Sequence, residues 1–206
     1  MLFVRAIHEL PLQKYVHVIM DKKRDLKQID AIAKEFDMSP PAINKPSIEK
    51  IIPVITQPMI GETCHKVSFS YGDELDLHFG EMTPYDHPKL AHLLKGSWRF
   101  GARATPWTVK HQGQILVVTA EADTDEQTAI AKEIVKQLEQ KKLLDLTIEA
   151  DTIRLTLSFE DDYQLILDPD LDDDSGLAHW ELFMPTEQVL AVGPGYFWSC
   201  KSIYER

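Results

Sequence analysis

Residues 67–79, VSFSYGDELDLHF, and residues 155–167, LTLSFEDDYQLIL, align without a gap. Ser70 falls on Ser158, Tyr71 on Phe159, Asp73 on Asp161 and Leu77 on Leu165. In each stretch apolar and polar residues alternate, a GDE or EDD break intervenes, and the alternation resumes. A period of two sends successive side chains to opposite faces of a strand. The acidic break supplies turn residues, so each stretch reads as a β-hairpin. A chain that carries two such hairpins is constrained towards a β-rich framework with internal repetition.

The likeness continues beyond the hairpins. LAHLLKGSWRF at 90–100 is echoed by LAHWELF at 177–183, which sets Trp98 against Trp180. Each is followed by a break and a second tryptophan, Trp107 in ARATPWTV and Trp198 in VLAVGPGYFWSC. The two copies run over about 60–119 and 143–204. Each reads as a small antiparallel β unit of four or five short strands separated by Gly, Pro and Asp turns. Packing face to face or joining edge to edge would hide strand edges in either case.

Two helices stand outside the repeat. DTDEQTAIAKEIVKQLEQKKLL begins with Thr124 and Gln127 at capping-box spacing. Ala131, Ile134, Val135 and Leu138 line one face. The other helix is expected at 24–37, with Leu26, Ile29, Ile32, Ala33 and Phe36 inward. The fold class is therefore α+β: two tandem copies of a small antiparallel β unit joined by an amphipathic helix, with an N-terminal strand and helix element. The boundaries are 1–59 for that element and its Pro-rich connector, 60–122 for the first β repeat, 123–142 for the bridging helix and 143–206 for the second repeat. With 206 residues the chain suffices for one domain or two small units sharing a core.

The formal net charge is −11. Nucleic acid is not an expected partner, because its binding needs a basic surface. An acidic chain suits a basic protein partner through steering, or is simply kept soluble. No apolar run reaches membrane-spanning length, and the N-terminus lacks the continuous apolar core of a signal peptide, so a cytoplasmic location is expected. Cys64 and Cys200 are too few for a disulfide framework and fit a reducing compartment.

Each candidate site has a plain structural reading beside the functional one. Counted from Asp170, the stretch DLDDDSGLAHWE places Asp170, Asp172, Asp174 and Glu181 at calcium-loop positions. Its glycine, Gly176, falls one place late, and the flanking segments read as strands where the motif needs helices. The loop therefore reads as solvated, and no metal or cofactor is expected. His87 and His92 are five apart, not the four that align two ligands on a helix. Residues 29–46 have the outline of a helix-turn-helix, but Pro46 cuts the second helix short. Common catalytic motifs are missing, and the sequence favours a non-enzyme. The four tryptophans suit core anchors. A binding-face reading instead groups Trp98, Arg99, Arg103 and Trp107, since Trp and Arg dominate interfaces. Asp161, Asp162 and the acidic 160–174 region form a second candidate surface for a basic partner.

The segment LAHWELFMPTEQVLAVGPGYFWSC resembles a pattern of small bacterial β-rich proteins in which an SW-x-L strand is followed by a GPG-x-x-W strand. Some of those look like immunity proteins of polymorphic or contact-dependent toxin systems. The resemblance implies a cytoplasmic protein-binding module that occludes a toxin partner, such as a basic toxin domain. The alternative is an enzyme or small-ligand-binding protein with a cleft between the two repeats. A homo-oligomer built on β edges or on the apolar connector 51–60 is a third class.

Overall fold

The computed structural model describes residues 47–70, 74–103 and 105–205. The expected helix at 24–37 and the helix-turn-helix outline at 29–46 lie outside the described residues. The elements in chain order are α1 (Ile48–Thr56), β1 (Cys64–Phe69), β2 (Leu75–Pro84), β3 (Leu94–Ala102), β4 (Trp107–His111), β5 (Gln114–Val118), α2 (Asp125–Val135), β6 (Leu143–Ile148), β7 (Leu155–Phe159), β8 (Tyr163–Leu167), β9 (Trp180–Phe183), β10 (Gln188–Val192) and β11 (Trp198–Ser202). The molecule is α+β, with two antiparallel sheets.

The first sheet has the order β1-β2-β3-β9-β10-β11 and the second β5-β4-β8-β7-β6. The alternation visible in the sequence decides which side chains face inward. Trp98, Phe100 and Ala102 on β3, Trp180 and Leu182 on β9, and Leu155, Leu157 and Phe159 on β7 are buried in one shared core. The rings of Phe79 and Phe159 stack across the gap between the sheets, 6.2 Å apart. Along one side the sheets are tied together: Cys64 N–H donates to the Lys141 carbonyl (2.9 Å), Gln140 N–H to the Cys64 carbonyl (2.7 Å) and Leu143 N–H to the Glu62 carbonyl (2.9 Å). These bonds satisfy the outer edge of β1, which would otherwise be open to pairing with another chain.

The two hairpins lie where the acidic breaks put them, with β1 paired to β2 and β7 to β8. Asp161 and Asp162 turn the second hairpin at φ of 59° and 58°, a conformation that short Asp side chains tolerate. The strands of each repeated stretch are divided between the sheets. β1, β2 and β3 join β9, β10 and β11, whereas β4 and β5 join β6, β7 and β8.

Two local expectations need correction. The bridging helix was expected over 123–142, but α2 ends at Val135 and a 3-10 turn covers Lys136–Leu138. The chain leaves the helix there because Glu139 turns extended and Gln140 takes φ 66°, so that this segment can bond β1. The capping box is formed: Thr124 Oγ1 accepts from Gln127 N–H and Gln127 Oε1 accepts from Thr124 N–H. The Pro-rich connector contains α1, despite Pro53 within it. Its Ile48, Ile51 and Ile52 are buried, and burial of such a face contributes more than one lost backbone bond removes. The apolar connector 51–60 thus contributes to this chain's own core, with Ile51, Ile52 and Met59 inside it.

Candidate functional site

Antiparallel pairing gathers several loops at one end of the two sheets. The end of β3 lies beside the start of β2 and of β9, with Asp76 opposite Gly101 and Ala102 opposite Trp180. The start of β4 lies beside the end of β8, Trp107 opposite Leu167. The end therefore carries the crossing from β3 to β4, the loop from β8 to β9, and the turns joining β6 to β7 and β10 to β11.

On one side of this end, charges are closely paired. Arg103 follows β3 and reaches strands on both sides. Its Nη1 donates to Glu74 (2.7 Å), and its Nε and Nη2 donate to Glu181 on β9 (2.9 and 2.6 Å). Burial opposes the charge of Arg103, yet the hydrogen bonds to Glu181 and Glu74 outweigh it and hold the guanidinium protonated more firmly than usual. Four residues back, Arg99 Nη2 donates to Asp76 (3.2 Å), and its guanidinium lies over the Phe183 ring at 5.1 Å. Asp76 also contacts Nε2 of His78 at 3.1 Å. The Nδ1 of His78 accepts from Gly96 N–H (3.1 Å), so the imidazole proton sits on Nε2, facing the carboxylate. Burial raises the Asp76 pKa, but the His78 hydrogen bond and the Arg99 charge more than reverse this and leave it below the usual aspartate value.

The other side is acidic and open. The turns 149–154 and 193–197 and the loop 168–179 hold seven carboxylates, from Glu149 to Asp174, and a single cation, Arg154. Arg154 bonds Asp168 and lies 3.8 Å from Glu149. Tyr196 O–H donates to the Asp151 carbonyl (2.7 Å), which ties two of the turns together. Asp170 Oδ1 accepts from Asp172 N–H (3.0 Å), and Asp173 accepts from both the backbone and the hydroxyl of Ser175. Beside these carboxylates three apolar side chains are exposed: Leu177 at 51%, Tyr196 at 57% and Phe197 at 57%. Between the two sides lies His179. It is buried, its Nε2 has no partner, and burial holds its pKa below the usual value against the pull of Asp173 and Asp170.

The residues grouped by sequence are distributed over three places. Trp98 and Trp107 are each 6% exposed and point into the core, as do Trp180 and Trp198, so as surface anchors they are replaced by packing. Arg99 and Arg103 lie on the outer side of the first sheet, already engaged by carboxylates. Asp161 and Asp162 sit at the opposite end, since Tyr163, next to them, pairs with His111 rather than Trp107. There Asp161 bonds Lys141 Nζ at 2.7 Å. The acidic 160–174 region is thus two regions, one at each end of β8.

Of the calcium-pattern residues, Glu181 is held by Arg103 and Asp170 by its own turn. Among the described residues no three His, Cys, Asp or Glu side chains converge to hold a metal. Cys64 and Cys200 are buried free thiols, and burial, aided by Glu139, pushes the Cys64 thiol up to about 12. Among the described residues no helix is long and apolar enough to cross a membrane. Sequence reasoning missed Tyr196 and Phe197. Their signal was two aromatics directly behind a Gly-Pro-Gly break, where a turn exposes what a strand would bury.

The GPG-x-x-W pattern is explained by packing. Gly193 has φ 102°, and a Cβ there would meet the His179 ring at 2.5 Å, so only glycine lets the chain turn against that ring. Trp198 then fills the core from β11. No known protein family, curated protein or solved structure matches this chain, so function is argued from its geometry.

Proposed function

We propose that the protein is a non-enzymatic protein-binding module whose open acidic end receives a basic protein. An immunity protein that covers the active site of a basic toxin is the concrete form of this reading. The observation that carries it is the coincidence of seven carboxylates with exposed Leu177, Tyr196 and Phe197 on the same loops. Aromatic anchors give an interface its affinity, while surrounding charge steers the encounter and selects the partner. Strand ends hold the loops in place, so little ordering is needed on binding.

We also read 60–119 and 143–204 as copies of one unit. The alignment of Trp98 with Trp180 carries Arg99 onto Glu181, Phe100 onto Leu182 and Gly101 onto Phe183. In the β3–β9 pair, Arg99 faces Phe183, Phe100 faces Leu182 and Gly101 faces Glu181. Exchange of the strands reproduces these pairs for any ungapped antiparallel register, so the reading rests on the aligned sequence, and β3 has β2 as its other neighbour where β9 has β10.

The test is a complex with a basic protein captured from the native cell extract and then purified. Binding should weaken steeply between low and moderate salt, as exposed complementary charges are screened within about 10 Å at 0.1 M. Joint replacement Tyr196→Ser and Phe197→Ser, and separately Asp170→Asn with Asp172→Asn, should each weaken it by about tenfold or more. The partner's own activity should stop when it is bound. Binding that survives both loop variants, or a partner that is acidic, would sink the proposal.

A further inference from the structure

A cavity of about 310 Å³ opens at the same end, beside Arg103 and beneath α2. It is bounded by strands of the first repeated stretch and by the bridging helix, so it is not the cleft between two repeats expected from sequence. Leu75, Trp107 and Ala131 give it apolar walls, and Phe69 closes one side. Every charged group in its lining is already engaged. Arg103 bonds Glu74 and Glu181, and Glu74 also accepts from the Ser70 hydroxyl (2.9 Å). Lys132 stands over the Phe69 ring, 5.2 Å from its centre, and is likewise not free. The Thr119 hydroxyl is used as well: it accepts from Trp107 N–H (2.8 Å) and donates to the Trp107 carbonyl (3.0 Å). Thr105 differs. It is 5% exposed and lines the cavity, yet its Oγ1 has no hydrogen-bond partner. A buried hydroxyl without a partner destabilises the free protein, and a ligand that supplied one would relieve this.

We propose that this cavity binds a small neutral molecule with a compact apolar body and a single hydrogen-bonding group. The body rests on Trp107 and Leu75, where removal of apolar surface from water drives binding. The hydrogen-bonding group meets Thr105, whose hydroxyl and methyl exchange places when χ1 turns from one staggered position to another. A hydroxyl both donates and accepts, so an alcohol, a phenol or an amide satisfies it. Charged ligands of either sign are disfavoured. With Arg103, Glu74 and Lys132 engaged, a charged head would lose water without gaining a counter-charge. The volume lies at the small end of ligand pockets, which run from about 300 to 1,000 Å³, so the body is limited to a single ring or a short branched chain. The cavity shares no residue with the acidic loops, so its test does not depend on a protein partner.

The experiment is calorimetric titration of the full chain with benzyl alcohol, its hydrocarbon counterpart toluene, and two charged counterparts, anionic benzoate and cationic benzylamine. Benzyl alcohol should bind saturably with a dissociation constant of about 1 mM or below, and the two ions at least about tenfold more weakly. Thr105→Val should weaken benzyl alcohol by about threefold or more and leave toluene unchanged, while the urea midpoint holds or rises because the unpartnered hydroxyl is gone. Thr128→Phe, at a half-buried lining position on α2, should fill the space and weaken both neutral ligands by about tenfold. Urea midpoints show that the variants fold, and Ala122→Leu, at another half-buried lining position, replaces Thr128→Phe if that variant does not. Failure of benzyl alcohol to saturate, equal binding of either ion, full binding by the space-filling variant, or an equal response of alcohol and toluene to Thr105→Val overturns the proposal.

Discussion

Arg103 and Arg154 stand at the same end of the molecule, and each lies between two carboxylates. Around Arg103 the partners are sheltered, Glu74 at 24% and Glu181 at 21% side-chain exposure. Around Arg154 they are open, Asp168 at 50% and Glu149 at 56%. The first set ties the ends of three neighbouring strands, and the second decorates loops. An ion pair gains little where water competes for both partners, and more where strands hold the geometry and exclude it. The sheltered side is therefore part of what holds the sheet together, and the open side leaves its charge to solvent. Identical residue types brace strands in one place and line solvated loops in the other.

The sharpest break between the two sides concerns aromatic residues. Trp180 is fully buried, with the Phe100 ring 5.8 Å away at the β3–β9 pair. Trp180→Ala should destabilise the protein by about 3–5 kcal/mol, through lost burial and the cavity left behind. Phe197→Ala, at an exposed turn, should change stability by no more than about 0.5 kcal/mol. Urea unfolding of both variants checks this, and comparable losses would erase the distinction between buried frame and exposed loop.

A smaller contrast separates the arginines themselves. Arg103→Ala leaves Glu74 and Glu181 facing one another without their cation and should destabilise by about 1–3 kcal/mol, discounted because the site is partly hydrated. Arg154→Ala should fall below about 1 kcal/mol. A double variant should be additive, as the two sets share no partner. Equal losses in the two single variants, read from urea midpoints, would show that shelter is not what distinguishes them.

Acid should separate the regions in two steps. His179 has a folded pKa below its ordinary value of about 6.5, so its contribution is full above that pH and is lost as pH falls through the lowered value. Asp76 behaves alike from its ordinary value of about 3.9 downward, since its folded pKa is also depressed. Thermal melts against pH should show His179→Gln flattening the upper window and Asp76→Asn the lower. If Asp76→Asn alters the profile above pH 5 instead, the assignment of the lower window to the Asp76 network fails.

The hairpins, the capping box and the inward tryptophans were legible because each is a local pattern: alternation, a Thr-x-x-Gln spacing, a recurring aromatic. Pairing between distant strands was not. Nothing local tells β3 to choose β9, or β4 to choose β8, because an alternating strand offers the same backbone edge to any neighbour. The arginines were visible as residue types, but their carboxylate partners, 29 and 78 positions away from Arg103, depend on that pairing. The cavity was not visible for the same reason, since its walls come from strands and a helix that meet only after the sheets have formed. α1 was hidden by a local rule, as the prolines around it argue for a connector until the burial of its isoleucines is counted.

The smallest expected effect is that of calcium on the acidic loop. The sequence places Asp170, Asp172, Asp174 and Glu181 at ligand positions, but a site needs them to converge with oxygens to spare. Glu181 Oε2 accepts two hydrogen bonds from Arg103. Recruiting it to a cation would strip Arg103 of one of its two carboxylates and bring the guanidinium charge near the metal. Asp170 accepts from Asp172 N–H and Asp173 from Ser175, so the loop is closed by its own backbone and hydroxyl donors. Calcium should therefore leave the melting temperature unchanged apart from screening of the loop's own repulsion, an effect magnesium should match. A saturable rise specific to calcium at micromolar concentration, lost in Asp170→Ala, would mean that the native loop binds the ion, because only a ligand preferring the folded state stabilises it. It would also move the acidic end from the open side of the comparison to the closed one, with a metal in the place that Arg103 takes on the other.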